Sequence, residues 1–409
     1  MKYRLSLLLL LFTTALYTQT PVSGDLFAHI QSTIQQLPGS GESGYGDVDA
    51  ANEEPWRELL RQLIAADYAS AAAAAAPLGY QLLRFTDTAD PDSKVYYLLE
   101  KTEEGTNYWG TYLFRPNACR ALVIQCPHPR ADLNTGLEGI FAYRQLDAFG
   151  YFLSGTHRCN STVAVSCSGS TSVCSAGSQA YRESDVAHNT RSAFQMATEE
   201  VREEMPEQVF VQLHGFSKRD TDPFVIMSNG SRDAPAVDYA ALLAAGLEAE
   251  DAVLDFKIGH LDTEWSRLLG FTNTQGRYIN QSLDPCTENA AMGNGHFIHV
   301  EQERTRLRAD ETGWQKMANA LGGAFSCVVS GVEEVERGEA WYALSVEGRL
   351  RLQLPSGRYE LRIYNALGQL LAARTVGEQE EIWLPEVGGI GFFSLWKEGT
   401  WLGSGRFVR

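Results

Sequence analysis

Hydrophobic positions change their spacing along the chain, and each change predicts a different kind of element. Between Asp25 and about Gly79 the spacing is helical: Trp56, Leu59, Leu60, Leu63 and Ile64 fall on one stripe, and Ala71–Ala76 is a strong helix-forming run. A Gly/Ser/Asp-rich linker, Gly39–Asp49, interrupts it. Next come two aromatic, β-prone runs, Tyr96–Glu100 and Tyr108–Phe114, separated by a Glu-Glu-Gly turn, which predict a hairpin. Short apolar runs at Ala121–Cys126, Val209–Leu213, Phe224–Met227 and Phe297–Val300 then alternate with helical stretches at Gly136–Phe149, Asp185–Met205 and Asp238–Leu247. Ser184 and Asp185 stand where a cap is expected, ahead of the stripe Phe194, Ala197, Val201 and Met205. Alternation of this kind predicts an α/β fold with a mostly parallel or mixed sheet flanked by helices. After Ala324 the period falls to two, through Ser345–Leu354 and Tyr359–Tyr364. An Asn-Ala-Leu-Gly turn and Leu370–Arg374 follow, predicting a C-terminal all-β sandwich.

The first residues alter this picture. Lys2 and Arg4 precede a short apolar core, Leu7–Phe12, and small residues from Ala15 to Gly24 offer cleavage sites, the pattern of a secretory signal. No other apolar run approaches the roughly 20 residues of a membrane helix, so no transmembrane helix is expected. The expected organisation is a signal peptide at 1–24, a helical lead and hairpin at 25–110, an α/β domain at 111–330 and a β-sandwich at 332–409. The net charge of −17 over 409 residues excludes a nucleic-acid binder, which needs clustered Lys and Arg to neutralise phosphates. Export to an oxidising compartment permits disulfides among the seven cysteines. Cys167–Cys174 or Cys159–Cys174 is the expected local bridge across the Ser/Gly/Thr-rich stretch, whereas Cys126, inside an apolar run, reads as a buried thiol.

Three polar groups terminate separate apolar runs. "ALVIQCPHPRAD" sets His128 just past one strand, with Asp132 on the same loop, and "VFVQLHGF" sets His214 at the end of another. The carboxyl ends of strands in an open α/β sheet border the ligand crevice, so both imidazoles can reach one metal ion there. In "GHFIHVEQERTRLR", Glu301 shares a strand face with Phe297 and His299 and is a candidate general base, while Arg304 and Arg306 could fork onto a carboxylate. No G-x-S-x-G, H-E-x-x-H or phosphate-binding loop occurs.

This order, a loop with His and an acid, then a strand His, then a late Glu, resembles the zinc carboxypeptidase and N-formylglutamate amidohydrolase group over about Leu122–Arg308. The resemblance implies zinc held by His128, Asp132 and His214, Glu301 as the base, and a substrate anchor at Arg158 and Asn160 in "SGTHRCN". Its implied substrates are peptides or acylated amino acids. The match departs at one point: three residues separate His128 from Asp132 where the carboxypeptidases have two. "ESDVAHN" therefore keeps Asp185 and His188 in play, both expected at a helix start, with His157 similarly placed. A non-catalytic cell-surface binding protein on a degenerate hydrolase scaffold is the alternative. The segments "YELRIYNALGQLL" and "IWLPEVGGIGFFSLWKEGTWLGSGRFVR", within about Val332–Arg409, resemble the sorting domain of type IX secretion cargo. That implies a secretion-machinery partner and a secreted or cell-surface destination.

Overall fold

The computed structural model describes residues 19–42, 44–327 and most of 342–408. The basic and apolar parts of the expected signal, and residues 366–368 of the Asn-Ala-Leu-Gly turn, lie outside the described residues. Two compact units divide the chain, Met1–Ser326 and Cys327–Arg409.

The first unit is built on one ten-stranded sheet. Its strands are β1 (Thr20–Gly24), β2 (Tyr80–Asp87), β3 (Val95–Lys101), β4 (Thr111–Phe114), β5 (Arg120–Cys126), β6 (Ala148–Leu153), β7 (Val209–Gly215), β8 (Val225–Ser228), β9 (Phe256–Ile258) and β10 (Phe297–Gln302). They lie in the order β1-β2-β3-β4-β6-β5-β7-β10-β8-β9. The central run β6-β5-β7-β10 is parallel, whereas β2-β3-β4-β6 and β10-β8 pair antiparallel, so the sheet is mixed.

Helices cover both faces. On one side α1 (Leu26–Gln36), then, after α2 (Glu53–Ile64) and α3 (Tyr68–Ala75), α4 (Thr135–Leu146) contribute to a core with Leu122, Ile124, Val211, Leu213 and Val300. Among the remaining helices, α5 (Ala193–Glu204), α6 (Tyr239–Glu250), α7 (Thr274–Ile279) and α8 (Glu311–Ala324), α6 and α8 join that side. The opposite core joins α2, α3 and α5 to Val123, Phe152, Phe210 and Phe297. Because strand side chains alternate, burial on both faces makes β5 and β7 continuously apolar except where chemistry intrudes, at Gln125, Gln212 and His214. The packing is close enough that a Cβ on Gly139 of α4 would lie 2.5 Å from the Cys126 sulfur. Among the described residues Cys126 is the free, buried thiol.

The structure corrects several expectations. The helix expected to run to Phe149 ends at Leu146. Asp147 turns left-handed (φ 51°) and β6 begins at Ala148, an apolar strand that the helical pattern had absorbed. The stretch Asp185–Met205 is not one helix. The cap is Ser192, which accepts from the Gln195 backbone N–H at 3.1 Å, and Val186–His188 is a single 3-10 turn. Asp185 does not cap because its carboxylate is taken by buried side chains described below. The lead and hairpin do not stand apart, since β1–β4 continue the same sheet. Thr20–Gly24, inside the expected signal peptide, pairs in parallel with β2 from Leu83 to Asp87.

Cys159–Cys174 forms, one of the two expected local bridges, but Cys167 pairs with Cys286 across 119 residues. The two disulfides pin the Ser/Gly/Thr-rich loop at both its base and its far contact, and both fit an oxidising compartment. No helix among the described residues is long and apolar enough to cross a membrane.

In the second unit, β11 (Tyr342–Val346), β12 (Arg349–Gln353), β13 (Tyr359–Asn365), β14 (Leu370–Val376), β15 (Gln379–Trp383), β16 (Ile390–Lys397) and β17 (Thr400–Val408) form two antiparallel sheets, β11-β12-β15 and β14-β13-β16-β17. Leu350, Leu352 and Ile382 of one sheet share a core with Leu361, Ile363, Phe393 and Leu395 of the other, which makes a sandwich.

Candidate metal centre

Parallel pairing of β7 with β10 sets Phe210 beside Phe297, Gln212 beside His299 and His214 beside Glu301. These residues, two apart on each strand, form a ladder on one face that passes from apolar packing to ionisable groups at the carboxyl ends. Next to β7, β5 ends at Cys126 and delivers the loop carrying His128 and Asp132, both buried. The ring centroids of His128 and His214 are 4.9 Å apart, and those of His214 and His299 are 4.4 Å apart.

Hydrogen bonds fix which nitrogen of each imidazole is free. His214 Nε2 lies 2.7 Å from the Gln212 amide oxygen, which only accepts, so Nε2 carries the proton. His128 Nε2 lies 2.8 Å from Asp185 Oδ1, again an acceptor. In the neutral rings the lone pairs therefore sit on the two Nδ1 atoms, and each Nδ1 is 3.3 Å from the same oxygen, Asp132 Oδ2. Lone pairs from three atoms facing one another in a buried site repel unless a cation lies between them. One ligand atom from each of His128, Asp132 and His214 falls within 4.8 Å of the others. Tetrahedral zinc, with bonds of about 2.0–2.2 Å, needs donor separations of roughly 3.4 Å, so the donor set fits the ion. The carboxylate–imidazole contact from Asp185 is the usual support for a metal-bound histidine.

Protons compete with a cation for these positions. Burial opposes ionisation of Asp132, but the two neighbouring imidazoles hold its carboxyl well below the usual range. Burial, with the neighbouring His299 and His128 imidazoles, depresses His214 to about 3, keeping it neutral. His128 is pressed down by burial and by Arg158, yet Asp185 and Asp132 carry it above the ordinary value. Arg158 is itself buried, clamped through Nε and Nη2 to Asp185 Oδ2, with Nη1 3.4 Å from His128 Nδ1.

A cavity of about 420 Å³ opens over this cluster, lined by His128, Arg158, His188, His214, His299 and Glu301. Tyr181 and the segment from Leu268 to Thr272 also line it, against His188 and His299. Glu301 Oε2 and both nitrogens of His299 are buried there without a hydrogen-bond partner.

The other expected site residues lie elsewhere or play other parts. Asp185 holds the back of the His128 ring instead of joining the ligand cluster. His188 lines the cavity wall, its Nδ1 3.0 Å from the Thr272 carbonyl and its ring stacked 3.7 Å from Tyr181. His157 is half-buried and accepts the Cys159 backbone N–H through Nδ1. Asn160 is turned away from the cavity, accepting from Gly41 N–H and donating to Thr156 Oγ1. Arg304 is exposed, because the chain leaves the sheet after Gln302 in a π-type turn, and Arg306 pairs with Asp251 at 3.0 Å. His299, Gln212 and Tyr181 were not anticipated as site residues. His299 was within reach of the period-two pattern that singled out Glu301, whereas Tyr181 arrives on an irregular loop that leaves no such signal.

No protein-family model matches the chain, and no curated protein does. Distant likenesses exist among solved structures. N-formylglutamate amidohydrolase from Ralstonia eutropha JMP134 aligns at TM-score 0.33 and 9% identity, over 52% of this chain and 93% of that one. A metallo-carboxypeptidase from Pseudomonas aeruginosa, in complex with (2-guanidinoethylmercapto)succinic acid, aligns at TM-score 0.27 and 13% identity, over 61% of this chain and 65% of that one. Likenesses this distant carry no inference about the reaction, which rests on the site itself.

Proposed function

We propose that the first unit is a zinc-dependent hydrolase of amide or peptide bonds. The observation that carries this reading is the convergence of three donor atoms, His128 Nδ1, His214 Nδ1 and Asp132 Oδ2, beneath a cavity also lined by Glu301, whose Oε2 has no hydrogen-bond partner. Zinc held there supplies a Lewis acid for the substrate carbonyl and makes water easier to deprotonate. Glu301 takes the proton of the attacking water at Oε2, its free oxygen, and returns it to the departing amine. Arg158 keeps Nη1 directed into the centre, where a fixed N–H steadies the negative charge that grows on the carbonyl oxygen. Asp185 and Gln212 hold the two imidazoles in register. Asn160 and Arg304 have no part in this scheme.

The test is hydrolysis of a blocked peptide library by the purified protein, before and after chelation and zinc return. Cleavage that is lost and regained supports the reading. Cleavage indifferent to chelation contradicts it, and a protein that binds peptides without cutting them belongs to the binding-protein alternative.

We also propose that the C-terminal sandwich is an export module read by type IX secretion machinery, and that leader removal falls upstream of Thr20, so that β1 is retained. Deleting 327–409 should leave the first unit in the periplasm. The intact mass of secreted protein should include Thr20–Gly24.

A further inference from the structure

Resting on the amide-hydrolase reading, the cavity wall says which substrates fit. The guanidinium groups around it are held by other bonds. Arg158 is neutralised by Asp185. Arg182 donates to the carbonyls of Cys159, Ser161 and Cys174. Arg277 donates to backbone carbonyls, Ser168 and Asn289. Among the described residues that line the cavity Arg158 is the one Lys or Arg, so an entering carboxylate meets a guanidinium already paired with Asp185.

It also meets lone pairs. His188 Nδ1 faces the Thr272 carbonyl, so that nitrogen must donate and Nε2 is left as an acceptor on the cavity wall. Burial keeps this imidazole neutral, pushed down to about 4. Stacking on Tyr181 with the rings 4° from parallel fixes where Nε2 points. Gly270, left-handed at φ 64°, lies so close to His299 that a Cβ would come 2.7 Å from the ring, which leaves that imidazole little freedom to turn away. Leu268, Leu269 and Phe271 supply apolar contact between these polar points.

We propose that the cavity accepts substrates whose chain continues beyond the scissile amide as an uncharged N–H-bearing group, an internal peptide or a carboxamide, with His188 Nε2 accepting that N–H. The enzyme is therefore selective against free C-terminal carboxylates, and His188 is the specificity-determining residue.

The test uses zinc-loaded Glu301→Gln protein, which binds without turning over, and a matched pair, N-acetyl-Leu-Leu-amide and N-acetyl-Leu-Leu acid. Calorimetry is repeated after chelation to remove any carboxylate–zinc contribution. The amide should bind at least about 10-fold tighter in both forms, the equivalent of about 1.4 kcal/mol. His188→Phe keeps the stack and removes the acceptor, so the two ligands should converge, while His188→Arg should reverse the order. Equal or tighter binding of the acid to chelated protein overturns the proposal, as does failure to bind either ligand. Cleavage by wild-type protein is scored separately. Amide preference without cleavage sinks the hydrolase reading alone, and cleavage with acid preference sinks this inference alone.

Discussion

On one side of β7, Gln212 sits in a buried polar network in which each amide finds a partner. Its Nε2 donates to Gln125 and Gln275 at 3.0 and 3.2 Å, Gln125 donates to Thr198 at 2.8 Å, and Gln275 donates to Gln195 at 2.8 Å. One step along the same face, at His214, the pattern reverses: His299 and Glu301 are also buried, yet three of their polar atoms have no hydrogen-bond partner. A protein that satisfies one cluster so fully has the means to satisfy its neighbour, and an unpaired buried polar atom costs about 1–3 kcal/mol. The satisfied cluster therefore reads as scaffold, and the unsatisfied one as a place where something from outside completes the bonding.

Substitutions can break or sharpen that contrast. The largest effect belongs to Glu301→Gln, which should lower kcat for a cleavable peptide by roughly 10²–10⁴-fold, the usual contribution of a general base, without lowering Tm. A matching loss of thermal stability would move Glu301 into the scaffold. Gln212→Leu acts across the boundary. It strips the His214 orienter and orphans its glutamine neighbours, so zinc affinity should fall about 10–100-fold and stability by about 1–3 kcal/mol. Unchanged zinc affinity would show that His214 needs no orienter.

Glu138 supplies a pH-dependent comparison away from the cavity. It is fully buried on α4, with Oε2 accepting from Gln302 at 2.8 Å and Oε1 unpartnered. Burial raises its pKa to about 8. The folded form therefore holds a proton that the unfolded chain loses near pH 4.5, so this contribution to stability is complete below that pH and is lost as pH rises towards 8. Glu138→Gln should flatten the decline of Tm over that window and raise stability at pH 7 by up to about 3 kcal/mol. A variant that follows the wild-type profile would assign the decline to another group. Smallest of all, Arg304→Ala should leave kcat/KM within about twofold and stability within about 0.5 kcal/mol, because the side chain is exposed and away from the cavity.

The sequence made legible those parts of the molecule whose pattern is local. Strands β5, β7, β8 and β10 announced themselves as apolar runs, and His128, Asp132 and His214 converge because each ends or follows such a run. The role of Asp185 was not legible, since a carboxylate before a helical stripe looks like a cap, and only the fold brings it 2.8 Å from a histidine 57 residues earlier. β6 was hidden because its apolar residues continue the phase of the helix before it. The Cys167–Cys286 pairing joins residues 119 apart, and the Tyr181–His188 stack forms on irregular backbone, so nothing periodic encodes either. Arg304 was read from charge and proximity alone, which say nothing about the turn that carries it to the surface.

The central claim is that His128, Asp132 and His214 hold one zinc ion, and the direct measurement is metal content by elemental mass spectrometry on the protein purified without chelators. About one zinc per chain is predicted, with none in a His128→Ala, His214→Ala double variant whose circular dichroism matches the wild type. A metal-free wild type, or zinc retained by the double variant, contradicts the account.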